Sequence, residues 1–175
     1  TGRYFDSLEG NGSTCSRKEL EVLLEKSGLG EYRMYYPYPE RWFPMSMYSD
    51  HWLPGAGELN QNLRNFEGER LVLFDEEKVY DQIIADGRFP EFSNTFLIVA
   101  GPERTDLPVY VKYSNDRAKE FMIRTDILKT EDGCQVRKVP VSQEAKAHVT
   151  AMKHWEEVLG TQYAAACVKV NHCEL

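Results

Sequence analysis

The sequence predicts a mixed α/β protein in two parts, an α/β part over residues 1–103 and an α+β part over residues 104–175. In the first part, helical stripes of apolar residues alternate with strand-like runs, and the continuous apolar run 96–100 is typical of a strand buried on both faces of a sheet. In the second part, polar and apolar residues alternate over 120–139 around a turn sequence, which indicates a β-hairpin. The change of pattern separates the two parts.

The first predicted helix covers residues 16–27. Ser16 and Glu19 have the spacing of a capping box, in which each side chain bonds the other's main-chain N–H. Three leucines then form an apolar stripe. Gly28 lies directly after the predicted helix, where a glycine in the left-handed conformation ends a helix. This segment therefore predicts a helix with both ends defined.

Residues 32–52 hold eight of the chain's 21 aromatic residues, together with three prolines. Alternation over 32–36 predicts a strand. Because proline does not continue a helix or a central strand, we expect the rest to be a stiff, irregular aromatic loop that fills the core or walls a cleft. Tyrosine rings can stack on a sugar or a nucleobase and offer hydroxyls to it, or can simply be core residues. The candidate substrate-binding residues are Tyr36, Tyr38, Tyr48 and Asp50.

A second helix is predicted over residues 76–86, capped by Asp75 and ended by Gly87. Its inward-facing side chains are expected to be Val79, Ile83 and Ile84. Residues 53–68 read as loop, and 70–74 as a short apolar run.

The second part is predicted to begin with a strand over residues 109–113. Hairpin strands follow over 120–129 and 134–139, with a turn at the Glu-Asp-Gly sequence between them. Ser142 then caps a long helix, and 168–173 form a last strand.

Composition excludes several function classes. The net charge of −7 and the isoelectric point near 5.2 disfavour nucleic acid and anionic membranes as partners, since both need a basic surface. No apolar run approaches the roughly 18 residues of a membrane-spanning helix. Four cysteines without close pairing spacing predict no disulfide framework and no metal site. The first residues show neither a signal peptide nor an initiator methionine, so we expect a cytoplasmic fragment of a longer protein.

No complete catalytic motif is present, and the catalytic residues stay unassigned. Lys138 lies near the end of a predicted strand, and Glu144 lies in the first turn of the helix that follows. A strand lysine paired with a helix glutamate holds nucleotide phosphates in kinase-like folds. The simpler interpretation is a solvated lysine on an edge strand.

Residues 16–50 and 73–101 resemble the C-terminal half of a class I S-adenosylmethionine-dependent methyltransferase-like domain, of the kind found in multidomain surface-polysaccharide biosynthesis proteins. The resemblance implies a partial Rossmann-like sheet in which 32–36 are the sixth strand and 96–100 the seventh, antiparallel strand. It implies S-adenosylmethionine as the cofactor of the parent protein and a carbohydrate or sugar-nucleotide acceptor. The cofactor loop belongs to strands that precede this half, so we expect this chain not to bind the cofactor.

Residues 111–127, 135–152 and 168–175 resemble the start of a kinase-like N-lobe, similar to aminoglycoside and lipopolysaccharide kinases. This resemblance implies that Lys138 is the phosphate lysine, that Glu144 is its helix partner with Glu156 as a substitute, and that ATP is the ligand.

Three functions are therefore open. The first is part of a methyltransferase-like protein of cell-surface polysaccharide biosynthesis, inactive alone. The second is a non-catalytic interaction or oligomerisation module that uses the aromatic loop or an exposed sheet edge. The third is a nucleotide-binding kinase-like module that uses Lys138.

Overall fold

The computed structural model describes residues 15–39, 41–59, 75–101 and 107–149. They form two compact units: the first contains the residues up to Tyr113 and Thr125–Arg137, and the second contains Ser114–Arg124 and the residues from Lys138 onward. The boundary predicted between residues 103 and 104 falls outside the described residues and stays a prediction, as do the segments 70–74 and 168–173 and the end of the last helix.

The described elements confirm the mixed α/β class. They are α1 (Arg17–Lys26), β1 (Tyr32–Tyr38), β2 (Ser46–Ser49), α2 (Glu76–Ala85), β3 (Leu97–Ala100), β4 (Tyr110–Tyr113), β5 (Ile123–Thr130), β6 (Gly133–Pro140) and a helix, α3, at 143–149.

The six strands form one sheet in the order β3-β1-β2-β4-β5-β6. β1 is antiparallel to both β2 and β3, and β2 is antiparallel to β4. A two-residue turn joins β5 to β6, so this pair is an antiparallel hairpin. Among the described strands, β3 and β6 lie at the two edges of the sheet.

The ends of α1 are as predicted. The main-chain N–H of Ser16 donates to Glu19 Oε2 at 2.7 Å, and the N–H of Glu19 donates to Ser16 Oγ at 3.3 Å. At the other end, the Leu29 N–H donates to the Leu24 carbonyl at 2.9 Å, while Gly28 has a φ of 72°. This is the Schellman arrangement, whose left-handed residue favours glycine.

The cap and the end of α2 are also confirmed. The Lys78 N–H donates to Asp75 Oδ1 at 3.2 Å, and Gly87 has a φ of 69°. The prediction for Val79 is wrong, because its side chain is 43% exposed. Tyr80 takes its place against the core together with Ile83 and Ile84. Consecutive residues lie about 100° apart around a helix, so a stripe centred near Tyr80 leaves Val79 at its margin.

The strand predicted over residues 32–36 is confirmed, but the irregular loop predicted for the rest of 32–52 is wrong at Pro37–Tyr38 and at Ser46–Ser49, which are strand. β1 runs on through Pro37 to Tyr38, and β2 returns beside it, with Pro37 opposite Met47. The pairing of β3 with β1 ends at Tyr35. Beyond it, β2 is the one described strand beside β1, and the proline is tolerated because the other side of β1 carries no described partner strand. Irregular backbone remains at residues 39 and 41–45.

The run 96–100 is not a strand buried on both faces. Among the described strands β3 pairs with β1 alone, which makes it an edge strand, and its first residue, Leu97, is 43% exposed. A continuous apolar run indicates a strand but does not tell whether other elements cover both faces. In the second part, β5 begins at Ile123 rather than at residue 120, since Lys119–Phe121 form a 3-10 turn. The predicted cap of α3 is confirmed, because the Ala145 N–H donates to Ser142 Oγ at 2.8 Å.

The hairpin of β5 and β6 carries a buried carboxylate. The side chain of Asp126 has no exposed surface, and Arg137 on the opposite strand donates to its Oδ2 from Nη2 at 2.9 Å and from Nε at 3.1 Å. A buried charge needs such a partner, so this pair holds the register of the hairpin.

Candidate functional site

The predicted substrate-binding tyrosines belong to the core of the first unit. Tyr36 and Tyr48 have no exposed surface and Tyr38 is 4% exposed. The Tyr36 ring meets Phe89 edge-on with a centroid separation of 6.1 Å. The Tyr48 ring meets Phe89 at 5.5 Å. These rings therefore have no free face on which a sugar or a base could stack.

The structure brings Tyr36 and Asp50 together. Tyr36 Oη donates to Asp50 Oδ1 at 2.6 Å, and Arg17 Nη2 lies 3.1 Å from the same oxygen. Arg17 also donates from Nε to Glu21 Oε1 at 2.8 Å. Asp50 keeps a side-chain exposure of 38%, so this cluster of α1, β1 and the end of β2 is partly open to solvent.

Tyr48 ends in a separate polar contact. Its hydroxyl donates to Glu58 Oε1 at 3.0 Å, and Glu58 Oε2 accepts from the Gly55 N–H at 2.9 Å. The carboxylate thereby ties the segment after β2 to the core. Tyr48 and Asp50 belong to different hydrogen-bonded groups in this structure.

Both tyrosines are held in the neutral form. Burial raises the pKa of Tyr36 far above its ordinary value, and the hydrogen bond to the Asp50 carboxylate adds to the rise. Burial likewise raises the pKa of Tyr48, with further contributions from Tyr110 and Glu58. A tyrosine that stays protonated and donates to a carboxylate is suited to structure, and no proton transfer follows from this geometry.

The exposed aromatic residues of the same stretch lie between β1 and β2. We call residues 39–45 the aromatic loop. Trp42 is 69% exposed and Phe43 is 59% exposed. The Arg41 guanidinium carbon lies 4.6 Å from the centroid of the Trp42 ring, which is a cation–π contact. The sequence pattern included these residues in an aromatic stretch but gave no sign of which rings would face solvent.

Lys138 and Glu144 take the positions that the sequence predicts, on β6 and in the first turn of α3. Both side chains are exposed. Among the described residues no hydrogen bond or ion pair joins them. Their predicted role with a nucleotide stays a prediction.

Arg17 and Glu58, the partners of the two tyrosines, were missed at the level of sequence. Each lies at least ten residues from its tyrosine, and no local spacing indicates such a contact.

Within the described ranges, no group of three or more histidine, cysteine, aspartate or glutamate side chains is placed to hold a metal ion. In the same part of the chain, no helix combines the length and the apolar character required to traverse a bilayer.

Comparison with protein-family models, with curated proteins and with solved structures found no match for this chain.

Proposed function

We propose that this chain is a non-catalytic interaction module that binds a partner protein through the aromatic loop. The observation that carries the proposal is the exposure of two large neighbouring aromatic side chains, Trp42 at 69% and Phe43 at 59%. Water-exposed rings of this size gain free energy when a partner covers them, at roughly 25 cal/mol per Å² of apolar surface. Two such residues side by side indicate a contact surface.

The composition of the aromatic loop favours a protein as the ligand. Tryptophan, phenylalanine, methionine and arginine are enriched at the centres of protein interfaces. Arg41 stacks on Trp42, and an arginine held in this way presents its remaining donors in a fixed direction.

The ends of the aromatic loop are held in place. The Met45 N–H donates to the Tyr38 carbonyl at 2.8 Å, and the Met45 carbonyl accepts from the Tyr113 N–H at 2.8 Å. The Asn94 side chain donates to the Pro39 carbonyl at 3.4 Å. A loop fixed at its base loses little conformational entropy on binding, which leaves more of the contact energy for affinity.

Site-specific photo-crosslinking in the cells that produce the protein tests the proposal. Phe43→p-benzoylphenylalanine should give a discrete adduct with one partner, identified by mass spectrometry. The same replacement at Val79, which is exposed to a similar degree outside the loop at 43%, is the matched control and should not give that adduct. Adding Trp42→Ala to the Phe43 variant should remove the adduct. Equal products from both positions, or none from position 43, would refute the proposal.

A second proposal follows the methyltransferase resemblance, and it is supported by the neighbouring, antiparallel arrangement of β1 and β3. That arrangement matches the one expected for the sixth and seventh strands of the family. On this proposal the chain belongs to a cytoplasmic enzyme of surface-polysaccharide biosynthesis that uses S-adenosylmethionine and a carbohydrate or sugar-nucleotide acceptor. The 175-residue chain should show no heat of binding with S-adenosylmethionine in calorimetry. Micromolar binding would contradict the expectation that this chain does not bind the cofactor.

A third proposal is nucleotide binding by the kinase-like part, supported by the placement of Lys138 on a strand before a helix that carries Glu144. ATP binding, if this proposal is correct, should be lost in Lys138→Ala and kept in Lys146→Ala, another exposed lysine. Equal binding by the two variants, or none by the unmodified chain, would eliminate it.

A further inference from the structure

The two edges of the sheet differ in length. β3 has four residues, whereas β6 has eight and is exposed over its first six. Natural proteins protect sheet edges by keeping them short or by placing proline and charge on them. The proline of β6 lies at its last position, Arg137 is engaged by Asp126 of the neighbouring strand, and Lys138 is the remaining charged residue, whereas Val136 in the middle is 60% exposed. Among the described strands, β6 is therefore the longer and less protected edge of the sheet.

The hydrogen bonds of β5 identify which groups of β6 point outward. The Ile127 carbonyl accepts from Val109, on the β4 side, at 2.7 Å. The Met122 carbonyl accepts from Val141, on the β6 side, at 3.2 Å. Main-chain groups alternate in direction along a strand, so the even-numbered residues of β5 bond to the odd-numbered residues of β6. The register of Asp126 opposite Arg137 agrees with this.

It follows that the main-chain N–H and C=O groups of three β6 residues point away from β5. They are Cys134, Val136 and Lys138. No described strand lies on that side of the sheet. Three consecutive outward-pointing residues are enough to form six hydrogen bonds with an antiparallel strand.

We propose that the outer edge of β6 pairs with the β6 strand of a second copy of this chain, antiparallel and with Val136 opposite Val136. The pairing joins the sheets of two molecules through a two-fold axis. This interface is independent of the aromatic loop and of the partner proposed for it.

Symmetry restricts the possible registers. In an antiparallel pair, directly opposite residues point to the same face of the sheet. A two-fold axis perpendicular to the sheet leaves every residue on its own face, so one residue must lie opposite its own copy. An axis at Arg137 would put two like charges opposite each other. An axis at Gln135 would leave Lys138 opposite a turn residue. Only the axis at Val136 pairs all three outward-pointing residues.

In that register the charges are compatible as well. Cys134 lies opposite Lys138, and Gln135 lies opposite Arg137, so no two like charges face each other. The most exposed apolar side chain of the strand, Val136, gains a contact with its own copy. The edge is therefore complementary to itself. Pairing with a second copy of this chain requires such self-complementarity, whereas pairing with an unrelated strand does not.

Sedimentation of the full chain, with a matched pair of variants, tests the pairing. The unmodified protein should form a dimer. Val136→Pro removes the outward N–H without touching the bonds to β5, and should raise the dimer Kd about thirtyfold, since one N–H is lost from each copy. Val136→Ala keeps the N–H and should dimerise within about threefold of the original. Circular dichroism establishes that both variants are folded.

Cross-linking tests the register. The background carries serine at all four cysteine positions (Cys15, Cys134, Cys167 and Cys173). Val136→Cys in this background should form a disulfide dimer on mild oxidation, because opposite hydrogen-bonded residues lie about 5.5 Å apart between Cα atoms. Restoring Cys134 alone should give none, since its two copies would lie about 14 Å apart. A monomeric protein, a dimer insensitive to Val136→Pro, or equal cross-linking at both positions would overturn the proposal.

Discussion

Aromatic residues within one short stretch have opposite environments in this protein. Tyr36 and Tyr48 lie in strands and are fully buried, whereas Trp42 and Phe43 lie in the aromatic loop and are mostly exposed. The buried pair have hydroxyls bonded to carboxylates, while Trp42 has an arginine stacked on it. Aromatic side chains therefore stabilise the core at Tyr36 and Tyr48 and are available for binding at Trp42 and Phe43. The buried pair pack against Phe89, whereas Trp42 and Phe43 lie in the connection between β1 and β2.

The largest effect is expected from removing a buried ring. Tyr48→Ala should lower the free energy of unfolding by about 3–5 kcal/mol, because the ring contacts Phe89 and Tyr110 and its loss leaves a cavity. Urea denaturation measures the change. Trp42→Ala is the matched control, and similar losses in the two variants would contradict the contrast between core and loop.

Alkaline pH should lower the stability of the protein through its buried tyrosines. The pKa values of Tyr36 and Tyr48 are raised by burial, so both remain protonated in the folded state when unfolded tyrosines ionise near pH 10. Their contribution to stability is complete below that pH and falls as the pH rises above it, by about 3 kcal/mol in total at pH 11.

Ultraviolet absorbance at 295 nm follows this ionisation. Burial also raises the pKa of Tyr80 to about 12. These three tyrosines should resist ionisation at pH 11 until the protein unfolds, and burial raises the pKa of Tyr110 as well. Full ionisation at that pH with the fold intact would show that the rings are accessible to water.

A smaller effect is expected from the hydroxyl of Tyr36. Tyr36→Phe should cost about 1–2 kcal/mol, since it removes one hydrogen bond to a carboxylate. Asp50 remains partly solvated and keeps its contact with Arg17, which limits the loss. Adding Asp50→Asn to the Tyr36→Phe variant should then have little further effect in urea denaturation. Additive losses would indicate that the two groups do not act through each other.

The smallest effect on stability is expected in the aromatic loop. Trp42→Ala should change the free energy of unfolding by no more than about 0.5 kcal/mol, because the side chain is 69% exposed. The same variant should lose the partner adduct in the crosslinking experiment. A large loss of stability here would mean that the ring is structural.

Local sequence signals located most of the described elements. Three of these signals depend on residues only a few positions apart, so the sequence predicts them without knowledge of the fold. They are the capping box at Ser16, the cap at Asp75 and the hairpin turn before Gly133. The wrong predictions concern whether a residue is buried or exposed. Val79 and the run 96–100 were placed inside because they are apolar, but exposure depends on which other elements cover them.

The candidate site was less predictable than the fold. The sequence identified Tyr36 and Asp50 separately, but their contact with each other and with Arg17 brings together α1, β1 and the end of β2. Such contacts depend on strand register, which a single sequence specifies only weakly.

By itself, the sequence determined where helices begin and end, the hairpin turn, and the acidic character of the chain, because these follow from neighbouring residues and from composition. Only the tertiary structure decided that Pro37 lies inside a strand, which aromatic rings face solvent, and which main-chain groups of β6 point outward. The reason is that these properties depend on which strands lie beside which, and strand order arises from contacts between residues far apart in the chain.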